Sequence, residues 1–161
     1  MLIDNQERVG NIPTTSAWDC KRKARKPRAL IGTIASDSHT WNLIFIDLLL
    51  KELGFHTMNL GPCTPLSLFL SSFVNFKPDM IIVSSVNGHA RSQAPEIAAK
   101  LKLIGATSRL VAGGKLSTGP EGNIEIRNEL QLAGFHAVFF TDDSIGEFTK
   151  YAESIKSAIV S

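Results

Sequence analysis

Cysteine is scarce in this chain: Cys20 and Cys63 are its only two, in unlike surroundings and without a Cys-x-x-Cys spacing. A disulfide-rich framework is therefore excluded, and a reducing cytoplasm is the expected compartment. Long apolar runs are missing as well. The longest, Leu43 to Leu50, is interrupted by Asp47 and falls far short of the ~20 residues a membrane helix needs, so no membrane partner is expected. The first residues, with Asp4 and Glu7 among them, lack the charged-then-apolar order of an export signal. Positive charge is also short over most of the length. The net charge is +2, but residues 29–161 hold 10 of the 17 Lys/Arg and 12 of the 15 Asp/Glu, so the excess lies in the first 28 residues. Nucleic acid is not an expected partner of the folded part, because phosphate binding needs a clustered basic surface.

What is present is a chain of 161 residues, 43% hydrophobic, enough for one domain with a proper core. Residues 1–28 are polar, end in the basic run Lys21-Arg22-Lys23-Ala24-Arg25-Lys26-Pro27-Arg28, and carry no apolar period. They read as a disordered, solvated extension, or as an electrostatic docking arm. Residues 29–161 read as the domain.

From Ala29 short apolar runs alternate with longer amphipathic segments. Strands are predicted at Ala29–Ala35, His56–Leu60, Met80–Ser84, Arg109–Ala112 and Ala137–Phe140. Helices are predicted at Trp41–Leu53, ended by Gly54, at Pro65–Phe76 with Thr64 as its cap, at Ser92–Leu103, at Ile124–Ala133, ended by Gly134, and at Ser144–Ile159. Met80-Ile81-Ile82-Val83 is apolar without alternation, as a strand covered on both faces requires. Strict alternation of five such units implies an α/β fold: a doubly wound, five-stranded parallel sheet of flavodoxin-like (Rossmann-like) order 2-1-3-4-5. A ligand in that fold sits beyond the carboxyl ends of the strands, where strands 1 and 3 part.

Three loops meet there. The first is Ser36-Asp37-Ser38-His39-Thr40-Trp41-Asn42. An Asp two residues before a His can hold one imidazole nitrogen while the other faces outward, the arrangement that orients metal-ligating histidines, although it also suits a plain surface turn. The second begins at Ser84-Ser85-Val86, with hydroxyls that either meet a polar ligand or satisfy the next backbone amide. The third is Gly113-Gly114-Lys115-Leu116-Ser117-Thr118-Gly119, whose paired glycines allow a close backbone approach or a simple turn.

Taken together, Asp37-x-His39, Ser84-x-Val86 and Gly113-Gly114 resemble the Asp-x-His-x-x-Gly, Ser-x-Leu and Gly-Gly signature of the B12-binding fold of cobalamin-dependent mutases. Within that group the chain is most similar to the small subunits of glutamate (methylaspartate) mutases, over about residues 29–158. Two positions depart: Asn42 stands for the motif's last Gly, at the entrance of the slot for the cofactor's nucleotide tail, and Val86 stands for Leu.

The resemblance implies a role for each loop. His39 is the cobalt ligand in place of the detached dimethylbenzimidazole, and Asp37 holds the other ring nitrogen. Ser36, Ser38 and Thr40 line the corrin edge, with Asn42 at the slot entrance. Ser84 meets the buried base, with Ser85 and Val86 beside it, and Gly113, Gly114, Lys115, Leu116, Ser117, Thr118 and Gly119 wrap the nucleotide loop. It implies adenosylcobalamin as cofactor, homolysis of its cobalt–carbon bond as the chemistry, and the isomerisation of L-glutamate to 3-methylaspartate as the reaction. No catalytic residue is expected in this subunit alone. A larger, barrel-shaped catalytic subunit, in a heterodimer or heterotetramer, would supply the substrate pocket. The competing readings are a corrinoid protein of a methyltransferase system, a non-catalytic cobalamin-binding regulator, and a flavodoxin-like domain without cofactor. His56 and His136 open strands away from the crevice, whereas His89 lies in the loop after the third strand.

Overall fold

The computed structural model describes residues 25–119, 122–140 and 144–160. The basic extension up to residue 24 lies outside the described residues. Five strands, β1 (Arg28–Gly32), β2 (His56–Asn59), β3 (Met80–Ser85), β4 (Arg109–Gly114) and β5 (Ala137–Phe140), form one sheet in the order β2-β1-β3-β4-β5, with every pairing parallel. The helices α1 (Trp41–Glu52), α2 (Leu66–Phe76), α3 (Ala90–Leu103), α4 (Asn123–Ala133) and α5 (Ser144–Val160) alternate with them. This is the predicted doubly wound arrangement.

Side-chain alternation along each strand divides the core in two. Leu30, Ile81, Val83, Leu110, Ala112 and Val138 face one side, where Phe69 and Phe76 of α2, Ala94, Ile97 and Leu101 of α3 and Leu130 of α4 close over them. Ala29, Ile31, Met80, Ile82 and Val111 face the other, against Leu43 and Leu50 of α1 and Phe148, Ala152 and Ile155 of α5. Both faces of β3 are thus buried along its whole length, which is why its sequence is apolar without alternation.

Several element ends differ from the sequence reading by a few residues at most, α3 beginning at Ala90 rather than Ser92 among them, and three of the differences bear on the site. Strand β1 stops at Gly32 rather than Ala35, because the next amide, Thr33 N–H, donates to Thr64 Oγ1 (3.0 Å) instead of continuing the ladder. Thr64 is consequently not the cap of α2: its hydroxyl donates to the Gly61 carbonyl (2.7 Å), and Pro65 occupies the cap position. Strand β4 runs two residues further than predicted, so that Gly113 and Gly114 pair with Ser84 and Ser85 on one side and with Phe139 and Phe140 on the other. At Gly114, φ is +107° and a Cβ would lie 2.2 Å from the Ser85 carbonyl oxygen. Only glycine fits there.

Candidate cofactor-binding site

The loop after β1 leaves the sheet where β1 and β3 part, and Asp37 is its centre. The Asp37 carboxylate is fully buried. Its Oδ1 accepts from the backbone N–H of His39 (3.0 Å) and meets His39 Nδ1 at 2.6 Å. Its Oδ2 accepts from the Ser85 hydroxyl (2.8 Å) and from the backbone N–H groups of Val86 (2.8 Å) and Asn87 (3.3 Å). Burial alone would raise the pKa of Asp37. The backbone N–H groups of His39 and Val86, the His39 ring and the Ser85 hydroxyl outweigh it and hold the carboxyl well below the usual carboxylate range. The backbone is braced too, as Asp37 N–H donates to Ile34 O (3.1 Å) and Asp37 O accepts from Cys63 N–H (2.7 Å).

An ionised carboxylate only accepts, so His39 Nδ1 carries a hydrogen, and the tautomer this selects for the neutral ring has its lone pair on Nε2. The His39 side chain is 58% exposed. Asp37 therefore fixes both the tautomer and the direction of an imidazole that presents Nε2 to the outside. Among the described residues no group of three or more His, Cys, Asp or Glu side chains could cage a metal ion. A single pinned nitrogen suits a metal whose other coordination positions are filled by its own macrocycle, as in a haem or a corrinoid.

Beside this loop, between α1 and α5 and over the carboxyl ends of β3, β4 and β5, lies a cavity of about 170 Å³. It is lined by Asn42, Phe45, Ile46 and Leu49 of α1, by Ile82 and Ser84 of β3 with Val86 just after it, by Val111, Gly113 and Gly114 of β4, by Phe139 of β5, and by Ser144, Ile145 and Phe148 of α5. Apart from Asn42, Ser84, Ser144 and the glycine backbone these are apolar, the composition of a pocket for a flat, weakly polar ring.

The structure places the sequence-predicted residues in two groups. Asp37, His39, Asn42, Ser84, Val86, Gly113 and Gly114 converge on the loop and the cavity, and Ser85 is committed to Asp37. Ser38 and Thr40 are exposed next to His39. Ser36 is turned toward α3, its hydroxyl accepting from Gln93 Nε2 (2.8 Å). The second group, Lys115 to Gly119, packs against the start of α3 rather than along the cavity. Gly88 N–H donates to Lys115 O (3.1 Å) and Arg91 N–H to Leu116 O (2.9 Å), and the Leu116 side chain is in the core. Ser117, Thr118 and Gly119 line a shallow, open depression with His89 and Arg91. His136 lies at the opposite end of the sheet, its Nδ1 accepting from Leu110 N–H (3.0 Å), and burial together with the nearby Arg109 lowers its pKa.

Sequence reasoning missed Asn87, which ties the loops together: its Nδ2 donates to Ser36 O (3.0 Å) and its Oδ1 accepts from His89 N–H (3.0 Å). It also missed the apolar lining. The signal for the α1 part was in the sequence, since Asn42, Phe45, Ile46 and Leu49 recur at helical spacing directly after the histidine motif. Phe139, Ile145 and Phe148 had no such mark, because β5 and α5 reach the cavity only through the sheet order.

A family model for the B12 binding domain matches residues 27–141. The chain belongs to the B12-binding domain family. Among curated relatives, it is 31% identical to the glutamate mutase sigma subunit of Halobacterium salinarum, over 72% of this chain and 78% of that one. Among solved structures, the B12-binding domain here is similar to a cobalamin-binding protein from Desulfitobacterium hafniense (TM-score 0.65, 18% identity, 80% of this chain and 58% of that one). It is similar too to a methanol:cobalamin methyltransferase complex from Methanosarcina barkeri (TM-score 0.65, 17% identity, 87% of this chain and 51% of that one). The chain spans little more than half the length of those two structures, and at such identity they speak for the fold alone. Among the described residues no helix is long and apolar enough to cross a membrane.

The side chains present fit the family's cofactor. One oriented imidazole offers Nε2, and glycine at position 114 leaves the cavity edge free of a Cβ.

Proposed function

We propose that this chain is the cobalamin-carrying small subunit of an adenosylcobalamin-dependent carbon-skeleton mutase of the glutamate mutase type. The holoenzyme would isomerise L-glutamate to 3-methylaspartate in the cytoplasm. The observation that carries the reading is the Asp37–His39 pair, with Nε2 outward beside an apolar cavity, in a chain 31% identical to a glutamate mutase sigma subunit. The corrinoid-carrier reading rests on relatives at 17–18% identity and is the weaker.

In this proposal His39 binds cobalt through Nε2, and Asp37 keeps the imidazole in the required tautomer and raises its basicity. The apolar cavity takes the nucleotide base, with Ser84, Val86, Gly113 and Gly114 around it. Ser38 and Thr40, exposed on either side of His39, flank the corrin. Of the loop after β4, the exposed backbone and hydroxyl groups of Lys115 to Gly119 remain to meet the cofactor's outer edge. The cofactor, when bound, supplies the radical chemistry. The domain holds and orients it and shields one side from water. A larger catalytic subunit supplies the substrate pocket, and this chain alone is inert.

The test has two stages. Titration of the purified chain with hydroxocobalamin should change the absorption spectrum as the lower ligand is exchanged, and His39→Ala should lose at least tenfold in affinity. Binding indifferent to that substitution overturns the ligand assignment. Combined with the large subunit of a glutamate mutase and adenosylcobalamin, the chain should support methylaspartate formation. Tight cobalamin binding with no turnover of glutamate would remove the mutase assignment and leave a cobalamin carrier.

A further inference from the structure

Asn42, the second residue of α1, carries a feature the cofactor-binding reading does not use. Its Nδ2 donates to Ser84 Oγ at 2.9 Å and faces the Ser84 carbonyl oxygen at 3.5 Å. That carbonyl can only accept, so the NH₂ end of the amide is turned to Ser84 and Oδ1 to the other side. Oδ1 is buried and has no hydrogen-bond partner. Both residues line the 170 Å³ cavity, where their surroundings, Phe45, Leu49, Val111, Phe139 and Phe148, are apolar. A buried acceptor without a partner in the protein disfavours any occupant of the cavity that cannot donate to it.

Ser84 completes the pattern. Its oxygen accepts from Asn42, which leaves its own hydroxyl hydrogen to donate. The two side chains, already joined to each other, therefore offer an acceptor and a donor side by side in a slot whose remaining lining is apolar except for Ser144 and the glycine backbone. Their complement is a flat heteroaromatic edge with an N–H donor next to a ring-nitrogen acceptor. An aminopurine has that edge, and Asn is a good partner for it. A dimethylbenzimidazole joined to its ribose offers one ring nitrogen and no N–H, so it satisfies Ser84 and leaves Asn42 Oδ1 unpaired.

We infer that Asn42 is a specificity-determining residue of the slot, selecting corrinoids whose nucleotide base carries an N–H donor beside a ring nitrogen, an aminopurine in preference to dimethylbenzimidazole. The inference rests on the cobalamin-binding reading above. A glycine at position 42 would have neither the acceptor nor the preference.

The experiment is spectrophotometric titration of the full chain with three corrinoids that share ring and upper ligand. One has adenine as its nucleotide base, one has dimethylbenzimidazole, and one, cobinamide, has no nucleotide. The native chain should bind the adenine form on the order of tenfold more tightly than the dimethylbenzimidazole form, and both more tightly than cobinamide. Asn42→Gly and Asn42→Ala, each checked for native circular dichroism, should bring the two base-bearing forms to within about twofold. Equal affinities in the native chain, a preference for dimethylbenzimidazole, a preference that survives both substitutions, or cobinamide binding as tightly as the adenine form would each overturn the inference. If none of the three binds, the cobalamin reading itself falls. If they bind without discrimination, that reading stands and only the role of Asn42 is lost.

Discussion

At the scale of single residues the site is organised by a buried carboxylate that never needs to react. Asp37 accepts from His39, Ser85 and the backbone of Val86, so one side chain joins the loops after β1 and β3 and orients the imidazole. Its native pKa is held down, so its contribution to stability is fully present above the unfolded-state value near 4. That contribution is lost as pH falls through the native value, and acid weakens the fold through this residue. Asp37→Asn should cost on the order of 2 kcal/mol at neutral pH, the worth of hydrogen bonds to a buried charge. It should also flatten the fall in urea midpoint below about pH 4. Parallel pH profiles for the two proteins would show that the carboxylate's charge is irrelevant to stability.

Elements set the shape of the slot. Helix α1 turns Leu43 and Leu50 into the core, gives Phe45, Ile46 and Leu49 to the cavity, and leaves Trp41, at 83% exposure, beside the histidine loop. Strand β4 forms the opposite edge, where Gly113 and Gly114 keep the ladder going to the rim. Gly114→Ala combines a positive φ with a Cβ 2.2 Å from the Ser85 carbonyl oxygen. It should destabilise by roughly 2 kcal/mol or more, read as a lower urea midpoint at unchanged slope. Because Ser85 also holds Asp37, the same variant should bind hydroxocobalamin more weakly. Unchanged stability would mean that β3 and β4 part at no cost.

For the whole molecule, the parallel sheet separates two ends. His39 and the cavity lie at the carboxyl ends of the strands. At the amino ends, Arg25 forms a paired ion contact with Asp79 (2.8 and 2.6 Å), whose carboxylate also accepts from Arg28 N–H. Residues 25–28, the described part of the basic run, thus enter the fold at the end of the sheet remote from the site. Because a ligand that binds only the folded state stabilises it, hydroxocobalamin at about 100 times its Kd should add ~2.7 kcal/mol. For a domain of this size that is a rise in Tm of roughly 5–10 °C. His39→Ala should lose most of the rise in the same melting experiment. A native chain whose Tm stays fixed at saturating corrinoid would contradict specific binding.

The order of elements, the parallel sheet and the position of the crevice were legible in the sequence, because periodicity, glycine stops and strict β/α alternation are local signals with few topological solutions. The Asp37-x-His39 spacing was legible too, since an Asp-to-His bond two residues apart closes within one loop. Tertiary structure alone decided the rest. It sent the Lys115–Gly119 loop to α3, because the backbone of Gly88 and Arg91 claimed its carbonyls. It drew Thr64 away from capping α2, because the Thr33 amide had no strand partner. It also brought Phe139, Ile145 and Phe148 to a cavity begun about a hundred residues earlier at Asn42. Contacts between distant segments are fixed by which buried donors and apolar surfaces remain unsatisfied once the sheet has formed, and no local pattern records that competition.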